Sequence, residues 1–219
     1  MRMRQQLHSL RRRRPALGLL VALVIALSGC DGVGTLRLDV LIDTSGSTVQ
    51  ARLQQPALRQ AVARVLLALD PYGPTIGLWR FDAVSACVYE NQPSAAVALA
   101  QLAGEQFTRR TTLQGTRPDL ALAEVTRAWR RDEADVIGLV MVTDGEMTAP
   151  DAMLAAVRGM VAEPRLRVVW VVGVADELRA EVHRVYAPLG GRLMVSGQSR
   201  PDSLDGMRRF VERVEGEVL

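Results

Sequence analysis

The chain contains no lysine; all 27 of its Lys and Arg positions are arginine. Six of these fall within the first 29 residues, which carry no acid. The remaining 21 Arg face 24 acids, a net of −3, so the formal +3 and the basic pI come from the amino terminus. No basic surface is left to argue for a nucleic-acid partner. Histidine is nearly absent: His8 lies near the start, and only His183 remains beyond it. That excludes the usual His-based zinc sites. It leaves a single candidate for a Ser-His-Asp triad, with no Gly-x-Ser-x-Gly elbow to accompany it. His183 follows Glu181 in a helical stretch and reads as a solvated helix residue. There is no Gly-x-x-x-x-Gly-Lys-Ser/Thr phosphate loop. Internal repeats, low-complexity tracts and a second domain are also missing.

Two cysteines are present, Cys30 and Cys87. Arg11-Arg12-Arg13-Arg14 precedes an apolar run from Pro15 to Leu27. That run is shorter than the roughly 20 residues that span a bilayer. The charged start, apolar core and small residues read as a secretory signal. Leu27-Ser28-Gly29-Cys30 resembles the lipobox of bacterial lipoproteins at all four positions. The resemblance implies cleavage before Cys30, a diacylglycerol on its thiol, and anchoring through several acyl chains, palmitate among them. Asp31 follows, and an Asp there tends to retain lipoproteins of enteric bacteria in the inner membrane. The expected location is therefore the periplasmic face of the inner membrane. Asp31–Gly34, about 14 Å when extended, would hold the domain close to the lipid. The expected division is 1–29 signal peptide, 30–34 lipidated terminus and linker, and 35–219 a single domain. With Cys30 lipidated, Cys87 has no intrachain partner. Its run Ala86-Cys87-Val88-Tyr89 predicts a buried structural thiol.

From residue 35 strands and helices alternate. Strands are expected over 35–42, 76–82, 85–90 (the last two close enough to form a hairpin), 136–143, 166–174 and 192–195. Helices are expected over 56–69, 94–102, 118–129, 149–161, 176–186 and 204–214. In the helix from Pro56, Leu58, Val62, Val65, Leu66 and Leu69 recur at helical spacing. The strands ending at Thr143 and Val174 are almost wholly apolar, which predicts burial on both faces. The expected fold class is α/β, a doubly wound, mostly parallel central sheet flanked by helices in a three-layer sandwich.

Oxygen ligands gather at three places in this pattern. Asp43-Thr44-Ser45-Gly46-Ser47 follows the first strand, Gly115-Thr116 precedes a helix, and Thr143-Asp144-Gly145 follows a strand too apolar to lie anywhere but mid-sheet. Ligands in open α/β sheets bind beyond the carboxyl ends of the strands. Two carboxylates (Asp43, Asp144) and three hydroxyls (Ser45, Ser47, Thr116) can converge there. An all-oxygen set suits Mg²⁺, or Mn²⁺ or Ca²⁺, at one site with room for water and one incoming ligand.

In this pattern the sequence resembles the von Willebrand factor A (VWA) domain family over about residues 35–215. Asp43, Ser45 and Ser47 match the Asp-x-Ser-x-Ser of the metal-ion-dependent adhesion site, and Thr116 and Asp144 match its distant Thr and Asp. The resemblance implies that Ser45, Ser47 and Thr116 bind a cation through their hydroxyls. Asp43 and Asp144 would ligate it directly or through water. The open position would accept an Asp or Glu carboxylate from a protein partner. Thr111 and Thr112 are rivals for the Thr role but lie further from the helix start. Thr48, Val49, Gln50 and Ala51 stand where some integrin domains carry acids, so no adjacent cation site is expected. Glu146 reads as a solvated acid at the rim. These features predict a membrane-tethered, metal-dependent adhesion or scaffolding module of the cell envelope, not an enzyme. Two alternatives stay open. One is a structural subunit of a secretion, conjugation or pilus assembly in which the metal loop is incidental. The other is a metal-dependent phosphohydrolase, but Ser45 stands where the acid/base Asp of haloacid-dehalogenase-type phosphatases would be.

Overall fold

Along Leu36–Asp43 (β1) the side chains alternate between two buried faces. Leu36, Leu38, Val40 and Ile42 pack into one core and Leu41 into the other. Arg37, Asp39 and Asp43 share the face of Leu41 by the two-residue period of a strand. The structure, a computed structural model, describes residues 34–48, 56–91, 94–103 and 115–219. The signal peptide 1–29, Cys30, Asp31, Gln50, Thr111 and Thr112 lie outside the described residues.

Five further strands complete the sheet: β2 (Thr75–Phe81), β3 (Ser85–Asn91), β4 (Val136–Val142), β5 (Leu166–Val174) and β6 (Leu193–Gly197). Their order is β3-β2-β1-β4-β5-β6, with only β3 antiparallel to its neighbour. One face carries α1 (Pro56–Leu69), α2 (Ala95–Leu102) and α6 (Arg200–Val218). The other carries α3 (Pro118–Trp129), α4 (Pro150–Val161) and α5 (Arg179–Tyr186). The doubly wound α/β sandwich expected from the alternation is the observed fold. Helices α1, α3 and α4 open on proline, which lacks the amide that a first turn leaves unbonded.

The winding places the site. The chain leaves β1 for β2 on one side of the sheet and β4 for β5 on the other. The carboxyl ends of β1 and β4 therefore open a crevice between diverging connections. Their register pairs Ile42 with Val142, so Asp43 emerges beside Thr143.

Local differences from the sequence reading have identifiable causes. Helix α6 starts at Arg200 rather than 204, because the Ser199 hydroxyl caps it by accepting from the Asp202 amide at 3.3 Å. The segment expected as one helix over 176–186 opens with a 3₁₀ turn, Asp176–Leu178. A second 3₁₀ segment, Ala187–Arg192, delays β6 to Leu193. Cys87 is exposed, not buried. It sits on β3, which closes the sheet with a β-bulge in its pairing to β2. Partial desolvation and the carboxylates of Glu90 and Asp39 push its thiol up to about 11, so it is no reactive thiolate.

Helix α6 is clamped on the first face by Phe210. This ring is fully buried and lies against Trp170 with centroids 5.9 Å apart. A Cβ at Gly138 would come within 3.1 Å of it, so β4 yields side-chain room there. Phe210→Ala should cost about 3–5 kcal/mol in urea unfolding. A loss under about 1 kcal/mol would show that the site had collapsed and that α6 packs without this clamp.

Candidate metal centre

Strand β1 carries Asp43 to the carboxyl edge of the sheet with none of its surface exposed. Its carboxylate accepts from the Ser45 amide at 2.8 Å through Oδ1. Through Oδ2 it accepts from the hydroxyls of Thr48 and Thr143, both at 2.9 Å. The Ser45 hydroxyl engages this carboxylate as well, so most of its roughly four acceptor positions are occupied. Burial raises the Asp43 carboxyl from 3.8 to about 6. Hydrogen bonds from Ser45 and Thr143 pull it partly back, and the Asp144 charge pushes it up again.

Asp144 lies just past β4 and is nine-tenths buried. Its Oδ1 accepts the Glu146 amide at 3.0 Å. No described residue donates to its Oδ2. Gly145 follows with φ 100°, a backbone geometry natural to glycine, and packs against Val182, Leu178 and Val174. Thr116 is also buried, and its hydroxyl has no partner among the described residues. Ser45 is buried with its hydroxyl 3.4 Å from that of Thr48.

The loops bearing these residues are laced together. Thr44 donates to the Asp82 carboxylate at 3.3 Å, and the Arg117 amide donates to the Asp82 carbonyl at 2.7 Å. The Thr116 amide donates to the Thr148 hydroxyl at 2.8 Å, and the Thr148 amide returns a bond to the Thr116 carbonyl at 3.0 Å. Thr143 then closes the circuit onto Asp43. Four loops are thus held in a ring.

The structure gathers Asp43, Ser45, Thr116 and Asp144 at the carboxyl edge as buried residues. It does not turn Ser47 inward: this residue is exposed and donates to Glu146 Oε2 at 3.3 Å. Glu146 is thus an exposed rim residue that engages Ser47. Thr48, Thr143, Asp82 and Thr148 were not singled out from the sequence as supports. Asp82 follows β2 as Asp144 follows β4, so the strand-end rule could have found it. Thr148 carried no signal, because its role depends on two loops meeting.

The donor chemistry fits a hard cation. Among the described residues, no three His, Cys, Asp or Glu side chains gather closely enough to hold a metal by themselves. A cation here would rest on two carboxylates and on hydroxyls, a set that leaves coordination to water and to an outside ligand. Asp144 Oδ2 and the Thr116 hydroxyl, buried oxygens without a donor or partner among the described residues, are the ones it would satisfy.

No protein-family model matches the sequence, and no curated protein sequence matches it. Solved structures do match in fold. The PilB minor pilin of Streptococcus sanguinis aligns over 86% of this chain and 63% of its own, with a TM-score of 0.69 and 10% identity. A von Willebrand factor type A protein of Catenulispora acidiphila aligns over 83% of this chain and 43% of its own, with a TM-score of 0.62 and 18% identity. Proximal thread matrix protein 1 of the mussel byssus, solved with a zinc-occupied metal-ion-dependent adhesion motif, aligns over 90% of this chain and 50% of its own. Its TM-score is 0.61 at 17% identity. The chain therefore spans under two thirds of each of these proteins, and what it shares with them is the fold of a VWA domain.

The raised Asp43 carboxyl makes a prediction for metal-free protein. The unfolded chain releases this proton near 3.8 and the folded chain holds it to about 6. The folded state thus binds the proton more tightly, so the contribution is full below 3.8 and is lost as pH rises through about 6. Urea unfolding in EDTA should lose about 2–3 kcal/mol over that window relative to Asp43→Asn. Parallel pH profiles for the two proteins would refute the assignment.

Proposed function

We propose that the chain is a divalent-metal-dependent protein-binding module of a bacterial cell envelope, tethered to the membrane through lipid on Cys30. The observation that carries the metal reading is a charge imbalance. Asp39 and Asp43 lie on the same face of the same strand, and both are fully buried. Asp39 is paired with Arg37 at 2.8 Å. Neither Asp43 nor Asp144 pairs with any arginine among the described residues, although arginine is abundant. A buried carboxylate without a cation is costly, and a bound divalent ion is a direct remedy.

In this reading Ser45 and Thr116 ligate Mg²⁺ or Mn²⁺ through their hydroxyls, and Ser47 joins them by turning away from Glu146. Asp43 and Asp144 hold the ion directly or through water. Asp43, already engaged by several donors, suits the water-mediated role. The remaining position takes a carboxylate from a partner's Asp or Glu, in a partly dry site where that contact is strong. The partner is a protein, not a nucleic acid. The reading requires no catalysis, and His183 is exposed on α5. The pilin and VWA-type structures of the same fold support an adhesion or envelope-assembly role. The lipobox and Asp31 support the periplasmic face of the inner membrane.

Envelope proteins captured by the chain with Mg²⁺, crosslinked and identified by mass spectrometry, should be lost with EDTA. Asp43→Ala and Ser45→Ala should abolish the same capture while circular dichroism shows an intact fold. Capture that survives EDTA and both substitutions would sink the metal-dependent reading and leave the structural-subunit alternative.

A further inference from the structure

The lower half of β1 contains a polar cluster inside an otherwise apolar core. Asp39 is completely buried and its carboxylate is saturated. Oδ1 accepts from Trp79 Nε1 at 2.8 Å and Arg37 Nη2 at 3.1 Å. Oδ2 accepts from Trp129 Nε1 at 2.7 Å and Arg37 Nε at 2.8 Å. Arg37 continues outward to Asp132 at 2.8 Å and Glu90 at 2.7 Å. Room for this cluster comes from β2: Gly77 pairs with Asp39, and a Cβ there would collide with Asp39 Oδ1 and lie 2.7 Å from Trp79 Nε1.

A buried ion pair of this kind is weak evidence for stability, since a well-packed apolar cluster of similar volume would do as well. What it does supply is directional geometry. Trp129 is the last residue of α3. Its carbonyl also accepts from Arg165 Nη2 at 2.7 Å, and Arg165 Nη1 donates to the Asp132 carbonyl at 2.6 Å. The far end of α3 is thereby bonded to β1 and to the chain entering β5. The near end, about 18 Å away along a 12-residue helix, begins just after Thr116. The same strand carries Asp39 to the anchor and Asp43 to the candidate metal centre.

We propose that Asp39 is a positioning residue for that centre: through Trp129 it sets where α3 stands against β1, and so where Thr116 stands against Asp43 and Ser45. The inference rests on the reading of Thr116 as a ligand for its effect on metal, but its effect on the helix start stands apart from metal. Two substitutions in the full chain test it. Asp39→Asn removes the carboxylate. Trp129→Phe removes the indole donor and keeps a smaller ring in the core, which is why a cavity control is needed. Val214→Ala, a cavity under α6 on the opposite face of the sheet, serves as a control for lost stability, compared at equal distance below each midpoint.

In metal-free protein, both Asp39→Asn and Trp129→Phe should speed hydrogen exchange at the Thr116 and Arg117 amides, while Val214→Ala should not. Mn²⁺ affinity by calorimetry should fall about tenfold in both, as for residues that orient ligands from behind, and should be unchanged in the control. Unchanged exchange in Trp129→Phe, or equal acceleration in Val214→Ala, would overturn the proposal. A wild-type protein that takes up no Mn²⁺ would defeat the metal reading alone, and the exchange result would still decide the anchor.

Discussion

The rest of the structure depends on one constraint: β1 carries carboxylates into its interior at two points, and each must be compensated where it lies. Neither Asp39 nor Asp43 exposes any surface to bulk solvent. The cost of an uncompensated charge there exceeds what most single packing contacts contribute. The fold answers the first carboxylate with a guanidinium and two indoles, and the second with hydroxyls and an amide. The first answer neutralises charge. The second only solvates it, which is why burial still pushes the Asp43 carboxyl up to about 6.

This difference assigns roles to the two ends of the strand. At the amino end, charge and hydrogen bonds are closed, and β1, β2 and α3 are held together. At the carboxyl end, the loops are closed into a ring through Asp82, Thr148 and Thr143, but the negative charge stays open. Loops cross-bonded in this way have little entropy left to lose, which lowers the ordering cost of any ligand that binds at this edge.

Most of the fold was legible in the residues because its signals are local. The alternation of apolar strands with helices of 3.6 period is a one-dimensional property, and the helices Pro56–Leu69 and Pro118–Trp129 fall where it put them. The edge position of β3, and with it the exposure of Cys87, was not legible. An apolar tetrapeptide such as Ala86–Tyr89 looks the same in a central strand and at an edge. The start of α6 was missed by four residues because a Ser199 cap outweighs the polar composition of its first turn.

The sequence by itself determined the α/β class, the strand ends and the oxygen-bearing residue types at Asp43, Ser45, Thr116 and Asp144. These follow from periodicity and from spacing along the chain. Only the tertiary structure decided that Arg37 and Asp39 are a buried pair, that Gly77 exists to make room for them, and that Thr148 holds Thr116. It also turned Ser47 outward to Glu146. The reason is physical: Arg37 and Asp39 are two positions apart, but the contacts that bury and complete their pair, and those at Thr148 and Glu146, join residues from about 30 to more than 90 positions apart, and their energies depend on burial and distance, which no run of neighbouring residues specifies.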